Sequence, residues 1–346
     1  ATDDCGNAST CLQTITVQDT DGPVITCPAD VTIDCEASTD PTNTGNATAV
    51  DNCSGETITS SDNIVPGPCA GTYTIERTWT ATDDCGNAST CLQTITVQDT
   101  DGPVITCPAD VTIDCEASTD PTNTGSATAV DNCSGETITS SDNIVAGPCA
   151  GTYTIERTWT ATDDCGNAST CLQTITVQDT DGPVITCPAD VTIDCEASTD
   201  PTNTGSAAAV DNCSGETITS SDNIVAGPCA GTYTIERTWT ATDDCGNAST
   251  CLQTITVQDT DGPVITCPAD ITIDCEASTD PTNTGSATAV DNCSGETITS
   301  SDNIVAGPCA GTYTIERTWT ATDDCGNAST CLQTITVQDT DGPVIT

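Results

Sequence analysis

Two residue types in this sequence, aspartate and cysteine, recur at positions where side chains can bind a metal or form a covalent cross-link. Asp51 and Asp83 each end a run of alternating apolar and polar residues, and Asp19 and Asp21 lie in the segment that joins two such runs. Carboxylates that converge at one pole of a domain repel each other unless a hard cation lies among them, and Ca²⁺ takes about six to eight oxygen ligands. The spacing therefore predicts a calcium site at that pole.

The alternative is that these aspartates cap the backbone of their own turns, as aspartate often does. Asn52 and Asp84 are further candidate ligands. The pattern recurs along the chain, so the same prediction applies to each copy. The full set of candidate calcium ligands is Asp19, Asp21, Asp51, Asp83, Asp99, Asp101, Asp131, Asp163, Asp179, Asp181, Asp211, Asp243, Asp259, Asp261, Asp291 and Asp323.

The chain contains 26 cysteines. An even number of cysteines in each small unit indicates a disulfide framework made in an oxidising compartment, which favours an extracellular location. Zinc binding is disfavoured because the sequence has no histidine and no closely spaced cysteine pair of the usual kind. We expect every cysteine between residues 21 and 340 to be oxidised.

The charge of the chain narrows its possible partners. It has 52 acidic residues against four Arg, and its formal net charge is −48. Nucleic acid and anionic membrane surfaces bind basic patches, so neither is an expected partner. The absence of histidine excludes a Ser-His-Asp triad, and we expect no enzymatic activity. No apolar run in the sequence is long enough for a membrane span.

The sequence repeats with a period of 80 residues, which is long enough for one small domain per copy. Residues 18–23 combine turn-forming and acidic residues between two predicted strands, and we interpret them as an interdomain linker. The predicted domains are then 21–100, 101–180, 181–260 and 261–340. Residues 1–20 are predicted to be the C-terminal strands of a preceding repeat, and 341–346 the first strand of the next.

Each repeat has the pattern of an all-β domain. Short runs with a period of two are separated by Gly, Pro, Asn and Asp, which favours an antiparallel β-sandwich over a helical fold. In the longest run, residues 73–83, alternation places Tyr73, Arg77 and Trp79 on the core face. Arg77 is predicted either to stack on the aromatic rings or to pair with a carboxylate at the rim.

Three motifs in each repeat resemble the hyalin repeat, or HYR, domain. They are GPVITCPADVTI at 22–33, TAVDNC at 48–53 and TATDDCGNASTC at 80–91. The resemblance implies tandem immunoglobulin-like β-sandwich domains, arranged head to tail, of the kind found in arrays in large bacterial surface adhesins. The additional cysteines Cys69 and Cys85 depart from the family pattern.

The direction of the strands in such a fold suggests one set of disulfides among the many that six cysteines allow. Strands that run toward the same pole bring Cys53 and Cys85 together, and parallel first and last strands bring Cys27 and Cys91 together, which leaves Cys35 for Cys69. Repeat by repeat, the expected pairs are Cys27–Cys91, Cys35–Cys69 and Cys53–Cys85; Cys107–Cys171, Cys115–Cys149 and Cys133–Cys165; Cys187–Cys251, Cys195–Cys229 and Cys213–Cys245; and Cys267–Cys331, Cys275–Cys309 and Cys293–Cys325.

Near-identical copies favour a structural role, because a spacer needs the same unit many times. We therefore expect a segment of an extracellular fibre or adhesin stalk, cross-linked by disulfides and stiffened by calcium at the domain junctions. Its expected partners are other copies of the chain or neighbouring repeats, with surface glycans as a possible addition. The alternatives are a multivalent carbohydrate-binding or cell-adhesive array and, as a third class, an ice-binding threonine surface.

Overall fold

The computed structural model describes residues 1–53 and 55–342. The chain divides into two compact units, one of residues 1–146 and 153–178, the other of residues 147–152 and the described residues from 179 onward. The same seven elements recur every 80 residues. In the first repeat they are β1 (Val24–Thr26), β2 (Val31–Asp34), α1 (Pro41–Thr44), β3 (Thr48–Val50), β4 (Glu56–Pro66), β5 (Tyr73–Asp83) and β6 (Ala88–Gln98).

The later repeats have equivalent elements. They are β7 (Val104–Thr106), β8 (Val111–Asp114), α2 (Pro121–Thr124), β9 (Thr128–Val130), β10 (Glu136–Ala146), β11 (Tyr153–Asp163) and β12 (Ala168–Gln178); β13 (Val184–Thr186), β14 (Val191–Asp194), α3 (Pro201–Thr204), β15 (Ala208–Val210), β16 (Glu216–Ala226), β17 (Tyr233–Asp243) and β18 (Ala248–Gln258); and β19 (Val264–Thr266), β20 (Ile271–Asp274), α4 (Pro281–Thr284), β21 (Thr288–Val290), β22 (Glu296–Ala306), β23 (Tyr313–Asp323) and β24 (Ala328–Gln338).

Each repeat is a two-layer β-structure, which confirms the predicted all-β, immunoglobulin-like class. One sheet has the strand order β2-β6-β5-β4, and the other pairs β1 with β3. The pairing is antiparallel except between β2 and β6, which run parallel. Because β2 and β6 run parallel, the ends of both strands lie at the pole from which the chain continues into the next repeat.

The alternation of β5 places its apolar residues in the core. Ile75, Trp79 and Ala81 are buried, while Glu76 between them is exposed. Ile95 and Val97 of β6 complete the buried cluster with Ile75. Burying a side chain of this size contributes about 1.5–3 kcal/mol, so a cluster this small leaves a role for covalent cross-links.

Arg77 lies in the core rather than at its rim. Its guanidinium donates to both carboxylate oxygens of Asp62 at 2.8 and 2.9 Å, and to the hydroxyl of Thr44 at 3.0 Å. It also lies 5.9 Å from the ring centroid of Trp79. The two alternatives for Arg77 are therefore combined, since the side chain is stacked on Trp79 and paired with a carboxylate.

The helix α1 was not predicted. It is a single turn with Pro41 in its first positions, and it ends at Gly45, whose φ of 98° lies in the left-handed region that favours glycine. Its function is to present Thr44, which accepts from Arg77 and whose carbonyl accepts from the buried side chain of Gln93 at 2.7 Å. So short a segment has no detectable helical period.

Residues 1–20 do not form the predicted strands. They contain one isolated bridge, Thr2 with Ala8, and Leu12 and Val17 are exposed. The letter-identical residues 81–100 form the end of β5 and all of β6. The predicted strand at 341–346 falls mainly on residues 343–346, which lie outside the described residues.

Candidate functional site

One disulfide in each repeat joins the two layers. Cys27 is bonded to Cys91 with a Cα–Cα distance of 5.9 Å, as the strand directions suggested. Equivalent bonds join Cys107 to Cys171, Cys187 to Cys251 and Cys267 to Cys331. Because Cys27 follows β1 and Cys91 lies in β6, this bond fixes the small sheet to the large one.

The other cysteines cross-link neighbouring repeats, and the expected pairs Cys35–Cys69 and Cys53–Cys85 are wrong. Cys35 is bonded to Cys133, with the Cα atoms 6.0 Å apart, and Cys69 to Cys165, with the Cα atoms 5.2 Å apart. The same classes of bond occur further along the chain, at Cys149–Cys245, Cys195–Cys293 and Cys229–Cys325. These bonds likewise exclude Cys115–Cys149, Cys133–Cys165, Cys195–Cys229, Cys213–Cys245 and Cys293–Cys325; the expected Cys275–Cys309 bond is not formed either.

The cysteines bond between repeats because the end of one repeat faces the beginning of the next. Cys35 follows β2 and Cys69 lies in the β4–β5 loop, both at the pole that leads into the second repeat, while Cys133 and Cys165 lie at the facing pole of that repeat. A Cβ on Gly71, whose φ is 78°, would collide with the carbonyl of Cys133, so the two repeats are in close contact. Each cysteine is therefore nearer to one across the junction than to the one beside it.

Four cysteines between residues 21 and 340 have free thiols, contrary to the expectation that all are oxidised. They are Cys53 and Cys85 in the first repeat and Cys275 and Cys309 in the fourth. Their equivalents in other repeats bond across a junction: Cys133 and Cys165 bond to the preceding repeat, and Cys35 and Cys69 bond to the following one. Cys5 and Cys11 are also free.

Carboxylates meet beside the cross-junction disulfides. Carboxylate oxygens of Asp99 and Asp131 lie within 4.8 Å of each other, next to Cys133. Burial, followed by the charges of Asp131 and Asp163, raises the pKa of Asp99, and Asp34 of the preceding repeat adds to this effect. The second unit repeats the arrangement, because burial and then Asp291, Asp323 and Asp194 act in the same direction on the pKa of Asp259.

The hydrogen bonds divide the oxygens of these carboxylates into two kinds. Both oxygens of Asp163 accept from Asn167 at 2.8 Å, so this residue caps its own turn. Asp131 Oδ2 likewise accepts from the backbone N–H groups of Cys133 and Ser134. By contrast, Asp99 Oδ1 and Asp131 Oδ1 are buried and accept no hydrogen bond from the residues that the structure describes.

The carboxylates around Asp99 and Asp131 fit a hard cation. Asp99 is only 8% exposed, and a buried carboxylate oxygen without a partner is costly. Two such oxygens close together, with Asp163 and Asp34 nearby, form the type of all-oxygen donor set that Ca²⁺ binds. Cys133 contributes no thiolate, because it is in a disulfide.

The structure groups the predicted ligands differently from the sequence analysis. Asp99, Asp131 and Asp163 are together, while Asp101 lies in a neighbouring groove that Asp131 also lines, with Val104 and Val130. In the second unit, carboxylate oxygens of Asp179 and Asp243 lie within 4.8 Å of each other. Asp34 was not predicted as part of the site, although its place at the end of a strand parallel to β6 was a usable signal.

No family model matches the chain, and no curated protein matches it. Solved structures that it is similar to include the protocadherin gammaB4 extracellular domain, with a TM-score of 0.35, 14% identity, and coverage of 92% of this chain and 67% of that chain. Another is Drosophila N-cadherin EC1-4, with a TM-score of 0.29, 14% identity and coverage of 84% and 93%. These low scores identify neither a family nor a function, so the hyalin-repeat assignment stays a prediction.

Among the described residues, no helix is long and apolar enough to cross a membrane.

Proposed function

We propose that the chain is a load-bearing segment of an extracellular fibre or adhesin stalk, as the hyalin-repeat resemblance implies. The observation that carries this proposal is the disulfide connectivity, because cross-links between neighbours serve a chain that must transmit tension. A set of independent binding modules needs no bond from one module to the next. The number of disulfides fits an oxidising, extracellular compartment.

A short covalent route through the repeats supports this role. Cys69 is bonded to Cys165, the backbone continues from Cys165 back to Cys149, and Cys149 is bonded to Cys245. The route then follows the backbone back to Cys229, which is bonded to Cys325. Tension therefore crosses each middle repeat through residues 149–165 or 229–245, which consist mainly of the central strands β11 and β17.

Calcium at the junctions is the second part of the proposal. Burial, and then the charges of neighbouring carboxylates, raise the pKa of Asp99, and a cation bound by Asp99, Asp131 and those carboxylates offsets both effects. Because the ligands come from the linker and from the two repeats it joins, binding resists bending at that point. The disulfides and the cation thus act on the same junction.

The test is calorimetric titration of the full chain with CaCl₂, together with small-angle scattering in calcium and in chelator. We expect dissociation constants on the order of 0.1–1 mM, as for other extracellular modules, and a larger maximum dimension with calcium. Asp99→Asn with Asp131→Asn should remove one binding site, whereas Glu156→Gln on the exposed face of β11 should remove none. Equal binding by both variants would reject the assigned site.

A further inference from the structure

The strand β4 and its equivalents leave one edge of every large sheet open. Within the described residues β4 pairs with β5 alone and is the last strand of its sheet. It is 11 residues long, and ten of them are exposed. An open strand of this length presents a row of N–H and C=O groups that another strand can pair with.

The edge lacks the features that usually prevent such pairing. It contains no lysine, and its proline, Pro66, stands at the last position and is replaced by Ala146 in the second repeat. One of its two acidic residues, Asp62, is neutralised by Arg77. Ile144 and Val145 at the end of β10 are 66% and 47% exposed. These properties favour association rather than repulsion at the edge.

The sequence of the strand is complementary to itself in the antiparallel direction. When two β10 strands are paired about a two-fold axis through Ser141, Ile138 faces Ile144, and Asp142 faces Ser140. Glu136 faces Ala146, so no carboxylate faces another. Apolar and β-branched cross-strand pairs each stabilise a sheet by about 0.2–1 kcal/mol, whereas like charges destabilise it.

We propose that this edge, residues 136–146 and its equivalents, is an interaction surface for a second copy of the chain, by antiparallel pairing of two edge strands. A two-fold axis requires one self-complementary surface on both partners, and this strand provides it. The same edge recurs in each of the four repeats, and every additional pair of edges that forms strengthens the association. The proposal does not depend on calcium.

The long-range charge predicts how the association responds to salt. Two chains of net charge −48 repel each other. Salt screens this repulsion, with a Debye length of about 8 Å at physiological ionic strength, and it leaves the strand hydrogen bonds intact. Association through this edge should therefore strengthen as salt is added, which is opposite to the response of an interface held by ion pairs.

The experiment is sedimentation velocity of the full chain over a concentration series, in chelator, at low and at physiological salt. All six free thiols are first alkylated so that no covalent oligomer forms; they are Cys5, Cys11, Cys53, Cys85, Cys275 and Cys309. We expect reversible association that increases with salt. Hydrogen exchange at high and low concentration should show added protection in residues 136–146 and its equivalents, and no change in the central strand β11.

A matched pair of variants locates the surface. The first variant places a lysine on every edge and should weaken association about tenfold or more. It combines Ile64→Lys, Ile144→Lys, Ile224→Lys and Ile304→Lys. The control is Leu92→Lys, Leu172→Lys, Leu252→Lys and Leu332→Lys, which removes side chains of similar exposure from β6 and its equivalents and adds the same charge. A chain that stays monomeric under all conditions would overturn the proposal, and so would a stronger effect of the leucine set or protection confined to other strands.

Discussion

At the level of single residues, the molecule contains two opposite solutions for a buried charge. Arg77 and Asp62 neutralise each other inside one repeat, and four hydrogen bonds from the guanidinium reach Asp62, Thr44 and the carbonyl of Thr39. At the junction, Asp99 is buried beside other carboxylates without such a partner. The first arrangement is complete by itself, whereas the second needs a proton or a cation.

The junction aspartates should give the chain an unusual response to pH in chelator. Because the pKa of Asp99 is raised in the folded state, the folded chain binds that proton more tightly than the unfolded chain. The stability gained is complete below the unfolded pKa of about 3.8 and is lost as pH rises through the folded pKa. We therefore expect the melting temperature to rise as pH falls from neutral toward 4, and calcium to reverse this trend. Scanning calorimetry over a pH series measures it.

The Arg77–Asp62 pair sets the acid limit of this pH range, and a variant of the junction aspartates is the control. The hydrogen bond from Arg77 lowers the pKa of Asp62, so the stability from that pair is fully present above the unfolded pKa of about 3.8 and is lost as pH falls from there through the folded pKa. Asp99→Asn combined with Asp259→Asn should reduce the gain in mild acid. A melting temperature that is constant or falls from pH 7 to about 4 in chelator would contradict the expected sign.

Replacing the buried arginine should weaken a repeat even when the positive charge is kept. In Arg157→Lys the single ammonium cannot reproduce the two bonds to Asp142 and the third to Thr124. We expect a loss of about 2–3 kcal/mol in the opening free energy of β11, measured by hydrogen exchange in the full chain. The neighbouring exposed substitution Glu156→Gln should cost less than about 0.5 kcal/mol. Equal effects would mean that the fork geometry of Arg157 is unimportant.

At the level of strands and loops, the β4–β5 loop and the end of β2 are the elements that join one repeat to the next. Both emerge at the pole that leads into the following repeat, because β2 runs parallel to β6 and β5 antiparallel to it. Each holds one cysteine that bonds to the next repeat. The junction between the first two repeats is therefore held by the peptide linker and by two disulfides.

Cutting the linker should not separate the repeats. With a protease site placed at Thr100 and Asp101, we expect the cleaved chain to migrate as one species without reductant and as two fragments with it. Mass spectrometry of the cleaved junction should find one peptide pair that joins Cys35 to Cys133 and another that joins Cys69 to Cys165. Cys35→Ser with Cys69→Ser is the control that should separate without reductant. Two fragments from the unaltered junction would show that the disulfides close within repeats.

For the whole chain, the disulfides change the length that tension can expose. Between the cysteines that connect it to its neighbours, a middle repeat presents residues 149–165, of which 153–163 are already the extended strand β11. The disulfides carry tension past the remaining strands and loops of the repeat. Unfolding a middle repeat therefore lengthens the oxidised chain very little.

Single-molecule extension should measure this difference directly. A segment of about 16 residues spans at most about 58 Å, whereas a reduced 80-residue repeat spans about 290 Å. We expect the two middle repeats to give no long unfolding steps when oxidised, and steps of roughly 250 Å after reduction. Long steps from all four repeats in the oxidised chain would contradict the bypass.

The sequence by itself determined the period, the sheet-forming alternation and the class of fold, because these depend on local residue type. The pattern of residues 73–83 is enough to place Trp79 and Arg77 inside. The sequence also indicated which aspartates and cysteines carry the chemistry. The turn at 41–44 escaped prediction because its role is to meet Arg77 from a distance in sequence.

Only the tertiary structure decided which partners these residues have. Letter-identical repeats make a bond within a repeat and a bond to the next repeat indistinguishable in sequence, so the choice of Cys133 for Cys35 depends on which poles face each other. The same limit appears in the backbone, because residues 8–18 form no strand while the identical residues 88–98 form β6 between β2 and β5. Strand pairing and burial depend on neighbours, and an amino-acid sequence specifies those neighbours only through the fold.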